Sequence, residues 1–114
     1  MIELPETKKL LSKESEYLEK QELLSQVLRS CIGLVSLDDN DFSWSSWGNK
    51  ENAIEELQKL LLIAENQGFP ELSVLSSKFA PTGPLQELSL SSGWGNVFLK
   101  VSEKYDIAEN QIWN

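Results

Sequence analysis

Between Glu6 and Val35 the apolar residues fall at Leu10, Leu11, Tyr17, Leu18, Leu24, Val27, Leu28, Cys31 and Val35. That is the three- and four-residue spacing of a helix face rather than the alternation of a strand. One long helix or two consecutive ones are predicted, with Pro5 in a first helical turn, where its missing N–H costs nothing. Five polar residues, Ser12 to Glu16, interrupt the stripe, and Ser12 is placed to cap a second helix. The helical pattern stops before Asp38, where turn-forming Asp and Asn take over.

A second stripe, Ala53, Ile54, Leu57, Leu60, Leu61 and Ala64, predicts a helix that Asn49 caps. Glu51 sits near its positive end, Glu55 and Lys59 form an i,i+4 pair, and Gly68 is placed to end it. Leu72, Leu75 and Phe79 give a short helical segment that Ala80-Pro81-Thr82-Gly83-Pro84 breaks. Pro84 opens a further piece, and Asn96 is placed to cap a last helix with Phe98, Leu99, Val101 and Tyr105 on its apolar side.

From Leu88 to Val101 two readings compete. Leu88 and Leu90, then Val97, Leu99 and Val101, alternate across a glycine-containing turn as a hairpin would. Pro84 followed by Leu-Gln-Glu-Leu is a good helix start, and a lone two-stranded hairpin is only marginally stable. The prediction is therefore a mainly α fold, a compact bundle of four or five helices; the alternative is α+β with a hairpin at about 86–102. The 114 residues are the size of one domain, 1–114, with enough apolar content to bury a core without disulfides or metals.

Composition narrows the function classes. No histidine is present, so Ser-His-Asp and Cys-His arrangements, the commonest general base and the favoured zinc ligand are absent. The serines have no visible activator, and no phosphate loop or dinucleotide fingerprint occurs. An enzyme is not expected, nor any cofactor. Cys31 is the only cysteine, which forbids an internal disulfide; Ile32 and Leu34 beside it suggest a buried thiol. The opening MIELPETKKLL lacks the basic and apolar runs of a secretory signal, and the longest apolar run, Leu60 to Ala64, is far short of the roughly 20 residues that span a bilayer. A cytoplasmic, soluble chain is expected.

The net charge is −8, a field that repels phosphate backbones and anionic membranes. Neither nucleic acid nor membrane is expected as a partner. The charge is uneven: in 37–66, seven acids face two lysines, a local balance of −5. A basic partner docking on this middle segment is its natural counterpart.

The stretch DDNDFSWSSWGNKEN, 38–52, joins that charge to aromatic rings. A calcium-loop register fails from each acid: counted from Asp38, the sixth position is Ser43 instead of glycine and the twelfth is Asn49 instead of glutamate. No metal site is predicted. An echo of the stretch recurs, since Ser45-Ser46-Trp47-Gly48-Asn49 and Ser91-Ser92-Gly93-Trp94-Gly95-Asn96 both place a Trp before a helix. Such a ring can fold back over the first turns and cover the core. Trp47 and Trp94 are read foremost as core; Trp44, with Ser43, Ser45 and acids beside it, has few apolar neighbours. Trp113 is a peg for the tail or a frayed end.

The function expected from these features is a small acidic, non-catalytic protein-interaction protein. Asp38, Asp39, Asp41, Phe42, Trp44, Trp47, Glu51 and Glu55 would face a partner that is basic at its contact surface. Small bacterial inhibitor and immunity proteins are an analogy in size and charge. The rival is a ligand binder or enzyme using the tryptophans and carboxylates as a pocket, which would require a concavity holding at least two of Trp44, Trp47 and Trp94. Self-association through the N-terminal stripe is a third option.

Overall fold

The computed structural model describes residues 4–66 and 68–113. Its helices are α1 (Pro5–Leu10), α2 (Lys20–Val35), α3 (Lys50–Glu65), α4 (Leu72–Phe79), α5 (Pro84–Ser92) and α6 (Gly95–Trp113), with 3₁₀ turns at Lys13–Tyr17 and Phe42–Trp44. No strand occurs among the described residues. The protein is a mainly α bundle in which α2 to α6 form the body and α1 is a turn and a half laid against it.

The apolar stripe of α2 explains why this helix is central. Leu24, Val27, Leu28, Cys31, Leu34 and Val35 are all fully buried, and α2 packs against α1, α3 and α6. The N-terminal stripe is thus largely covered by the chain's own helices. α3 contributes Ala53, Leu57, Leu60 and Ala64; α6 contributes Phe98, Val101, Tyr105 and Ala108. Phe79 and Tyr105 stack at 3.9 Å between ring centroids. Each buried Leu or Phe contributes on the order of 1.5–3 kcal/mol, so these stripes supply most of the driving force.

The interruption at Ser12–Glu16 is a 3₁₀ turn, not a helix cap. The Ser12 hydroxyl donates back to the Lys9 carbonyl (2.7 Å), and α2 starts only at Lys20, with no side-chain cap. Leu88 to Val101 contains the end of α5 and the start of α6, not a hairpin. Gly93, at φ +87°, closes α5 in the left-handed conformation and turns the chain directly into α6. α6 already begins at Gly95, so Asn96 lies inside its first turn instead of capping it. Between α4 and α5 the chain turns tightly: a Cβ on Gly83 would collide with the Ser77 carbonyl and lie 3.1 Å from that of Ala80. Only glycine fits there.

Trp113 is a peg. It is half-buried against the core and meets Phe69 edge-on at 6.2 Å. No described helix is long and apolar enough to cross a membrane.

Candidate functional site

Residues 36–49 connect α2 to α3 and carry most of the acidic, aromatic stretch. A loop of this length would wander unless its backbone groups found partners. Here they do. The Asn40 side-chain amide donates to the Leu34 carbonyl (2.7 Å), and its side-chain oxygen accepts the Trp94 indole N–H (2.8 Å). The Asp41 backbone amide donates to the Ser92 hydroxyl (2.9 Å), and the Ser91 hydroxyl donates to the Asp41 carbonyl (2.8 Å). The Ser46 backbone amide donates to Glu87 (3.2 Å). Both ends of α5, through Glu87 in its first turn and Ser91 and Ser92 in its last, together with Trp94 therefore hold the loop from positions 41 to 54 residues away in sequence.

Asp41 then starts the 3₁₀ turn: its carboxylate accepts the Ser43 amide (2.9 Å). Hydrogen bonds from Ser43, its hydroxyl first and its amide second, hold the Asp41 carboxyl below the usual carboxylate range. At about three residues per turn the 3₁₀ geometry sends Phe42 and Trp44 different ways. Phe42 is half-buried against the core, while Trp44 is 76% exposed.

Beyond Trp44 the chain turns inward again. Trp47 is 5% exposed, so it belongs to the core and not to the loop's outer surface. Its indole N–H donates to Glu56 (2.9 Å), and the other oxygen of that carboxylate pairs with Lys78 on α4. Asn52 fastens the same corner: its side chain donates to the Trp47 carbonyl (3.0 Å), and its backbone amide donates to the Asn49 cap (2.8 Å). Gly48, at φ +78°, provides the left-handed step between ring and cap.

The acids of 37–66 divide into two groups. Asp38 pairs with Lys50 (3.1 Å), Glu55 with Lys59 (3.2 Å), Glu56 with Lys78 and Glu65 with Arg29. Asp39, Asp41 and Glu51 have no cation among the described residues. These three flank Trp44 in the chain: Asp39 and Asp41 precede it in the loop, and Glu51 stands exposed in the first turn of α3.

Of the eight residues the sequence singles out, the fold thus keeps Asp38, Asp39, Asp41, Trp44, Glu51 and Glu55 at least partly in solvent, half-buries Phe42 and buries Trp47. A cleft of about 300 Å³ beside the loop is lined by Ser46, Trp47, Asn52, Glu55, Glu56 and Lys59, and so holds one of the three tryptophans rather than two. No group of three or more Cys, Asp or Glu among the described residues is arranged to hold a metal ion. No family model, curated protein or solved structure matches this chain.

The residues that sequence reasoning missed are the anchors, Asn40, Glu56, Ser91 and Ser92. Asn40 and Glu56 lie in segments already noted for charge and turn chemistry. Ser91 and Ser92 belong to the echoing segment, but no local signal marks them as anchors, because their partner, Asp41, is 50 and 51 positions away.

Proposed function

We propose that the protein is a non-catalytic interaction module whose Trp44 loop docks on a protein that is basic at its contact face. The observation that carries this reading is the company Trp44 keeps. A large apolar ring stands in water on a loop braced by hydrogen bonds to α5, and three acids near it in the chain, Asp39, Asp41 and Glu51, have no cation among the described residues. A pre-braced loop loses little entropy on binding, which is how an exposed indole becomes an energetic anchor. Carboxylates without a cation in the same stretch of chain attract and orient a cationic surface. Asp39, Asp41 and Glu51 act as the charges, Phe42 as the wedge beneath the turn, and Asp38 and Glu55 as peripheral acids shared with lysines. An inhibitor- or immunity-like role in the cytoplasm suits such a surface.

The rival, a pocket of tryptophans and carboxylates, is less well supported, because the N–H groups of Trp47 and Trp94 are already engaged inside the fold. The test is affinity capture from the native cell with the wild-type chain and Trp44→Ala, at low and raised salt. The reading expects a partner retained by the wild type, lost with Trp44→Ala and weakened by salt. Equal retention by both chains removes Trp44 as the anchor, and turnover of a metabolite by the purified protein favours the rival.

A further inference from the structure

At the other end of α3 from the Trp44 loop, a groove of about 580 Å³ runs between the linker before α2, α2 itself and the last turn of α3. The two places are separated by the sixteen residues of α3, about 24 Å of helix at 1.5 Å per residue. The groove therefore stands apart from the loop, and its chemistry is independent of Trp44.

Its walls have a definite character. Tyr17, Leu18, Glu19, Glu22, Arg29 and Glu65 are the residues that matter. Arg29 and Glu65 pair with each other across the α2–α3 seam and cancel. Glu19 and Glu22 have no cation among the described residues, so the groove carries a residual negative charge. Tyr17 stands on the rim with 87% of its surface in solvent, the largest fraction of any big apolar side chain described. The 3₁₀ turn puts it there: Ser15 is buried, its hydroxyl donating to the Ser12 carbonyl (2.9 Å), and Leu18 packs on the core, which leaves Tyr17 pointing away. Leu18 gives the groove an apolar strip.

We propose that this groove takes an arginine side chain from a segment of another protein, its guanidinium seated between the Tyr17 ring and the carboxylates of Glu19 and Glu22. A planar cation stacks on an aromatic face and accepts carboxylates at its edge, while its aliphatic stem lies along Leu18. Lysine satisfies the charge but not the stacking. The groove is open to solvent and suits a side chain delivered by an attached chain better than a small ligand that must be enclosed.

The experiment is an NMR titration of the isotope-labelled full chain with capped hexa-arginine at low salt, with capped hexalysine and ethylguanidinium as comparison probes. The proposal expects amide shifts centred on residues 17–25 and 64–65. It expects hexa-arginine to bind more tightly than hexalysine, and binding to weaken about three- to ten-fold in Tyr17→Ala and in Glu19→Gln/Glu22→Gln. Those residues lie at the surface, so an otherwise unchanged spectrum confirms that each variant folds. Trp44→Ala leaves these shifts in place. Shifts confined to 38–55 overturn the groove while leaving the Trp44 loop as a basic-partner site. Shifts at the groove that persist unchanged in both groove variants overturn it as well. Ethylguanidinium binding as tightly as the peptide makes it a small-cation site, and groove shifts that grow with protein concentration alone make it a self-contact; either result overturns the proposal.

Discussion

Three positions separate Trp44 from Trp47, and the two rings meet opposite surroundings. Trp47 enters the core, and its N–H finds Glu56, which Lys78 in turn holds. Trp44 sits on a 3₁₀ turn that the Asp41 carboxylate caps, and its ring has no such seat. Trp94, in the echoing segment, repeats the first case: it is 2% exposed, and Asn40 accepts its N–H. The two fully buried indoles each meet an acceptor for their N–H, Glu56 for Trp47 and Asn40 for Trp94, whereas Trp44 stays in solvent.

The contrast is put at greatest risk at Trp47. Trp47→Ala should empty a large buried volume and orphan part of the Glu56 interaction, destabilising the fold by about 3–5 kcal/mol in urea unfolding; a loss under about 1 kcal/mol would mean the ring is not a core element. Asn40→Ala should cost about 1–3 kcal/mol, since it strands the buried Trp94 N–H and frees the Leu34 carbonyl at once. The opposite sign is expected at Gln26, which is 1% exposed and has a partner at neither end of its amide. Gln26→Leu should stabilise the chain by about 1 kcal/mol, read as a raised urea midpoint.

Charge titration gives a smaller effect. Burial pushes the Cys31 thiol up, and burial followed by the Glu109 hydrogen bond pushes the Tyr105 hydroxyl up. Both groups are acids that ionise more easily in the unfolded chain. Native protein then holds more protons than unfolded protein once pH passes their ordinary values, about 8.5 for Cys and 10 for Tyr, so stability should fall as pH rises through that window and stay flat from these groups below it. Thiol reagents should leave Cys31 untouched until the chain unfolds. Smallest of all is the effect of Trp44→Ala on stability, expected within about 0.5 kcal/mol of zero.

Much of this fold was readable from periodicity. The stripes of α2 and α3, the Asn49 cap and the prolines opening α1 and α5 are local signals, and the structure contains each of them. What was ambiguous was non-local. The alternation from Leu88 to Val101 is shared by a hairpin and by two helices joined at a left-handed glycine, and only packing of α5 on α4 and α6 separates them. Ser12 and Asn96 read as caps, yet the 3₁₀ turn and the early start of α6 give them other work. At the candidate site, charge and aromatics were visible, but which acids keep a free charge was not. Arg29 and Lys78, from outside the segment, neutralise Glu65 and Glu56, and no spacing rule announces pairs so far apart in the chain.

We propose Trp44, which lies near Asp39, Asp41 and Glu51 in the chain, as the contact anchor, and the dissociation constants of a captured basic protein for the wild-type chain and for Trp44→Ala, at matched salt, decide it. Loss of a buried interface indole corresponds to about 2 kcal/mol or more, so the variant should bind about 30-fold more weakly while unfolding at the same urea concentration. Equal dissociation constants for the two chains would contradict it.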